Sequence, residues 1–131
     1  MTEIPKKVLI VEVVEDEPSL RRALVDKCTQ AGLAVSEAEN GEVGLAKALV
    51  EHPDLIVLDL LMPKKDGMQF LTELRADPWG KTAKVIILSN VSEVEKVAEA
   101  MGHQAFDYMV KSDTNIDKVT ETILARLGVS K

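Results

Sequence analysis

The sequence predicts a doubly wound α/β domain, a five-stranded parallel sheet with helices on both faces, making a three-layer sandwich. Three observations predict it. Short apolar runs and helix-period segments alternate five times along the chain. The run Leu55-Ile56-Val57-Leu58 is unbroken and passes straight into Asp59, with Met62-Pro63 just beyond. A short apolar run between turn signals is the pattern of a strand buried on both faces. The 131 residues are 46% hydrophobic and 29% charged, which suits one domain with its own core.

The elements follow in order. Val8 to Val14 is an apolar run broken only by Glu12, and Glu15-Asp16-Glu17 follows it. Pro18-Ser19 opens a helix, with proline in the first turn, and Leu20, Leu24, Cys28 and Ala31 recur at helical spacing. Cys28 is read as a small core residue. Gly32 closes the helix, and Leu33 to Ala38 forms a short second strand. Asn40-Gly41 reads as a turn. A second helix runs from Val43 to Val50 with Leu45 and Leu49 inward, and His52-Pro53-Asp54 ends it. His52, placed before a proline, reads as a loop residue.

The third strand ends at Asp59, and Pro63 sharpens the loop after it. Lys64-Lys65-Asp66-Gly67 reads as loop, with Gly67 supplying turn freedom. Met68, Leu71 and Leu74 line a third helix, with Phe70 beside them. Asp77-Pro78-Trp79-Gly80 is a further loop, and Trp79 reads as a lone aromatic packed on the domain. Val85 to Ser89 repeats the pattern of the third strand. Ser92 with Glu95 makes a capping box for a fourth helix, whose inner stripe is Val94, Val97, Ala98 and Met101. The fifth strand runs from Phe106 to Val110 and ends at Lys111. Asp113 to Asn115 leads into a last helix, with Ile116, Val119, Ile123 and Leu127 inward and Gly128 at its end.

Composition excludes several classes of function. A net charge of −6 argues against a nucleic-acid surface. The apolar runs are too short to span a bilayer, and Met1 to Lys7 lacks an apolar signal core. Cys28 is the only cysteine, which excludes an internal disulfide. These features predict a cytoplasmic protein. Residues 1–131 read as a single domain with a core of about 7–128 and no output domain.

The strand ends carry the chemistry: Glu15 and Asp16 after the first strand, Asp59 after the third, Ser89 on the fourth and Lys111 after the fifth. In a parallel sheet these ends share one edge. Three clustered carboxylates repel unless a cation sits among them. An all-oxygen cluster of this kind suits Mg²⁺, and a lysine and a hydroxyl beside it suit phosphate oxygens. Together these groups describe a phosphoryl-transfer site, where positioning and charge neutralisation carry the reaction.

With these residues in place, the chain resembles the receiver domain of two-component response regulators from Lys7 to Gly128. The matching stretches are Val14-Glu15-Asp16-Glu17-Pro18, Asp59 to Gly67, Ile87-Leu88-Ser89 and Asp107-Tyr108-Met109-Val110-Lys111. The resemblance implies the strand order 2-1-3-4-5. It implies that Asp59 accepts a phosphoryl group from phosphohistidine on a sensor histidine kinase or phosphotransfer protein. It implies Mg²⁺ held by Asp16 and Asp59, by Glu15 through water, and by the backbone carbonyl of Leu61. Lys111 would contact the phosphoryl group, Ser89 would swing toward that group, and Tyr108 would follow inward. That motion would alter the surface of the fourth helix, fifth strand and last helix for a downstream protein target. The family reading leaves a monomer or a phosphorylation-dependent dimer open, and expects no enzyme beyond self-phosphorylation and slow autodephosphorylation.

The chain departs from the family at Glu12, where an apolar residue is usual, at Asn90, at Gln104 and at Ser112, where proline is usual. A degenerate receiver acting as a phosphorylation-independent binding module is the alternative these departures raise. Haloacid-dehalogenase-type phosphatases are disfavoured because Leu61 stands where they need a second aspartate. Flavodoxin-like modules are disfavoured because Glu15-Asp16-Glu17 would repel a phosphate lacking a metal.

Overall fold

The computed structural model describes residues 10–60, 65–90, 102 and 107–129. Five parallel strands form one sheet: β1 (Ile10–Val14), β2 (Ala34–Ala38), β3 (Leu55–Leu58), β4 (Val85–Ser89) and β5 (Asp107–Val110). Their order is β2-β1-β3-β4-β5, the order the family resemblance implies. The described helices are α1 (Pro18–Gln30), α2 (Gly41–Glu51), α3 (Gly67–Ala76) and α4 (Ile116–Leu127). The helix expected to start at Ser92 lies outside the described residues, as do Leu61 to Lys64, His103 to Phe106, and Val8 and Leu9. No described helix is long and apolar enough to cross a membrane.

Side chains alternate across a strand, so each strand feeds two cores. Val14, Ile56, Leu58 and Ile87 pack with Leu45 and Ala48 of α2 and with Phe70, Leu71 and Leu74 of α3. Val11, Val13, Val57, Ile86 and Leu88 pack with Leu24 and Cys28 of α1 and Val119 and Ile123 of α4. β3 and β4 are buried throughout, as strands covered on both faces must be. Cys28 is buried, and burial pushes its thiol up to about 11. Trp79 packs against the α2–α3 core and stacks on His52 at 4.4 Å between ring centroids.

Three local readings are corrected. Asn40-Gly41 is a helix start: the Asn40 side chain accepts from the Val43 amide at 2.9 Å and Gly41 is the first residue of α2. Any Cβ at Gly41 would collide with the Lys65 carbonyl oxygen. Gly67 likewise opens α3, behind a capping box between Asp66 and Gln69. At Phe70 the helix is rotated from the expected phase: Phe70 is fully buried, while Met68 is only partly buried.

Glu12 points to the same face as Val14. It is 0% exposed, and neither carboxylate oxygen has a hydrogen-bond partner among the described residues. Burial pushes its pKa up from 4.5 to about 8, with Glu51 reinforcing the rise and Lys47 opposing it. Between these two values the folded chain binds more protons at Glu12 than the unfolded chain does. Stability contributed through Glu12 therefore falls as pH rises from the ordinary carboxylate range through about 8. The expected slope reaches about 1.4 kcal/mol per pH unit. Urea melts between mildly acidic and mildly alkaline pH should show it, and Glu12→Leu should reduce the slope, leaving the share of buried Glu15, and raise stability most at the alkaline end. A wild-type curve as flat as the variant's would disprove the assignment.

Candidate functional site

The sheet delivers four strand ends to one edge. β1 continues for one residue past its last ladder position, because the Glu15 amide donates to the Ala38 carbonyl at 3.0 Å. The chain then turns: the Glu17 amide donates to Glu15 Oε2 at 3.1 Å, and Pro18 starts α1. β3 continues in the same way, with the Asp59 amide donating to the Val14 carbonyl at 3.1 Å. Glu15 and Asp59 are both buried, while Asp16 is exposed at the mouth. One carboxylate oxygen from each of the three lies within 4.8 Å of the others.

Two donors reach Asp59 from the far side. Ser89, the buried last residue of β4, donates from Oγ to Asp59 Oδ1 at 3.0 Å. Lys111, just past β5, sits with Nζ 3.1 Å from Asp59 Oδ2 and 2.8 Å from Glu15 Oε1. It also lies 3.8 Å from Glu17 Oε2. One ammonium therefore serves three carboxylates. Burial raises the Glu15 pKa above the ordinary carboxylate range, with the Lys111 hydrogen bond opposing. For Lys111, burial pulls the pKa down, but the Glu15 and Asp59 carboxylates outweigh it and the net shift is upward.

This donor set fits a hard divalent cation: every ligand atom is a carboxylate oxygen, and the negative charge exceeds what Lys111 balances. Mg²⁺ favours such a set and keeps several waters. Glu15, Asp16 and Asp59 would hold it. Leu61, whose carbonyl the family resemblance adds, lies outside the described residues.

Tyr108 is half-buried beside Ile87, its partner across the β4–β5 ladder, and packs on the α2–α3 core. Asn90 is exposed and Ser112 follows Lys111. Both line a cavity of about 350 Å³ with Glu17, Leu20 and Asn115 that opens beside the lysine. No cis peptide bond occurs among the described residues.

Sequence reasoning missed two groups. Glu17 is close enough to share Lys111, and Arg21 of α1 donates to the Glu15 carbonyl at 2.7 Å. The acidic triplet was a visible signal for Glu17. Nothing in helical periodicity marks Arg21, because its acceptor is a backbone oxygen.

The chain matches the response regulator receiver domain over residues 11–123. It is 38% identical over 101 residues to the KDP operon transcriptional regulatory protein KdpE of Escherichia coli, covering 77% of this chain and 44% of KdpE. It is 35% identical over 99 residues to the transcriptional regulatory protein ResD of Bacillus subtilis, covering 76% of this chain and 40% of ResD. The chain thus spans less than half the length of either relative. Its structure is similar to the chemotaxis protein CheY4 of Vibrio cholerae, with a TM-score of 0.83, 27% identity, and coverage of 91% of this chain and 98% of that one. A CheY-like receiver domain protein of Methanospirillum hungatei shares the fold at a TM-score of 0.86 and 20% identity, over 93% of this chain and 95% of that one.

The geometry makes Gly67 a strict requirement of the site. A Cβ there would stand 2.5 Å from Leu60 Cα and 2.7 Å from the Asp59 carbonyl oxygen. Gly67→Ala must push the backbone at Asp59 aside, at an expected cost of about 1–3 kcal/mol. Chemical denaturation should register that loss, and an unchanged midpoint would contradict the packing described.

Proposed function

The chain belongs to the response regulator receiver domain family, and from that premise we propose that it is a phosphorylation-controlled signalling switch centred on Asp59. The observation that carries this reading is the convergence on Asp59. Ser89 and Lys111 approach its carboxylate oxygens at 3.0 and 3.1 Å, and Glu15 and Asp16 complete an all-oxygen cation cluster beside it.

In the proposed reaction an Asp59 oxygen attacks phosphorus in a phosphohistidine of a sensor kinase or phosphotransfer protein. The new bond is an acyl phosphate, the P–N bond breaks, and the leaving imidazole takes up a proton. Bound Mg²⁺ supplies neutralisation of the phosphoryl oxygens. Lys111 holds the carboxylate oriented and then faces the charge that arrives. Ser89 Oγ, which donates to Asp59 Oδ1, turns its hydrogen bond to a phosphoryl oxygen. The space Ser89 leaves is taken up by Tyr108, and the β5 face changes for a downstream protein. The chemistry is confined to the chain's own aspartate, so we read it as a switch and not as an enzyme turning over a separate substrate.

Intact mass after incubation with Mg²⁺ and a small acyl phosphate tests the reading. One added phosphoryl group is expected, absent from Asp59→Asn and from chelated samples. Lys111→Met should take up the group on the order of 10²-fold more slowly. A folded wild-type chain that gains nothing, beside a working control receiver, would sink the proposal.

A further inference from the structure

Arg21 makes two bonds in different directions from the first turn of α1. Its Nη1 donates to the Glu15 carbonyl at 2.7 Å, and its Nε donates to Glu37 Oε1, on β2, at 3.1 Å. The side chain is only 17% exposed, so it lies along the loop instead of extending into solvent. Glu37 is itself tied to α2, since its carbonyl accepts from Lys47 Nζ at 2.6 Å.

The acceptor is the peptide joining Glu15 to Asp16. A peptide unit is planar, so the direction of that carbonyl sets the plane from which both side chains leave. The other side of Glu15 is already held: its amide is bonded to Ala38 and its Oε2 accepts from the Glu17 amide. Asp16 is exposed, so its direction depends on the peptide plane before it.

We propose that Arg21 is a positioning residue for the cation site, holding the Glu15–Asp16 peptide so that both carboxylates converge with that of Asp59. The proposal rests on reading this cluster as the Mg²⁺ site. Charge and geometry predict opposite signs here. A guanidinium near a cation site repels the cation, so an arginine acting by charge alone would weaken metal binding and its removal would strengthen it. Glu37 pairs that charge, which lets Arg21 grip the loop with little net positive field at the site. Outer partners that orient metal ligands set affinity by 10–100-fold as a general rule.

The test is an Mg²⁺ titration of the full chain followed by amide shifts in NMR spectra, which also report that each variant is folded. The samples are wild type, Arg21→Ala, Arg21→Lys and Asp16→Asn. Arg21→Ala is expected to bind Mg²⁺ about tenfold more weakly. Arg21→Lys keeps the charge and the helix but loses the planar fork that makes both bonds at once. It is expected between wild type and Arg21→Ala, and it carries the test if Arg21→Ala does not fold. Unchanged or tighter binding in the arginine variants, with binding lost in Asp16→Asn, would overturn the role of Arg21 and leave the metal site standing. Wild-type binding that Asp16→Asn leaves untouched would overturn the metal reading and the role of Arg21 with it.

Discussion

The ammonium of Lys111 between the carboxylates of Glu15 and Asp59 is the contact on which the rest of the site depends. A parallel sheet sends the ends of β1 and β3 to the same edge, so two buried acids arrive within reach of each other. At that range like charges repel by about 4 kcal/mol in a moderately polar protein environment. β5 brings the compensating cation across the sheet from the far edge, 2.8 Å from one acid and 3.1 Å from the other. The pairing is incomplete by design of the chain: Asp16 and Glu17 add further negative charge at the mouth, and the upward shift at Glu15 records the residual strain of burying it. A site under-supplied with positive charge is ready to take up a divalent cation.

Glu12 and Glu15 show how three residues of register separate an acid at the candidate site from one enclosed in the sheet. Both lie on or just beyond β1 and both are buried. Glu15 is at the open edge, where a lysine, a neighbouring amide and the mouth of the site can all reach it. Glu12 is inside the ladder, paired with Ser36 and Ile56 on the flanking strands. Along α2 the charges that act on it are Glu51 and Lys47, which oppose each other. Burial raises the pKa of both, but only Glu15 has a lysine and a neighbouring amide to answer its charge.

How much was legible in the sequence follows from the range of each interaction. β3 and β4 were plain because burial on both faces writes itself as an unbroken apolar run, and the residues ending those runs were the site. The alternation of elements implied the layers, whereas the strand order came through the family resemblance, since crossover direction leaves no periodic trace. Asn40 and Gly67 were misread as turn residues because the same local properties serve helix starts. An Asn side chain that can cap a turn can cap α2, and a glycine wanted for φ freedom looks like one wanted for space beside Asp59. Arg21 was invisible because its acceptor, the Glu15 carbonyl six residues upstream, is a backbone oxygen that every residue type carries, so the bond leaves no mark in the sequence.

The proposed switch follows from this charge balance. A phosphoryl group brings close to two negative charges near neutral pH to the position of Asp59. The added charge arrives where Lys111 is already engaged with Glu15 and Asp59, and where the Ser89 hydroxyl already donates to Asp59. In the proposed switch the extra demand would fall on a cation held by Glu15, Asp16 and Asp59 and on the Ser89 hydroxyl, whose hydrogen bond would turn to the phosphoryl group. Ser89 is fully buried at the end of β4, and close-packed interiors do not leave a vacated rotamer empty. Its neighbour across the ladder is Val110, and Tyr108 lies one pleat back on β5. Under the proposed switch, a change at Ser89 would reach β5 first, and that edge of the sheet would be the surface from which the state of Asp59 is read.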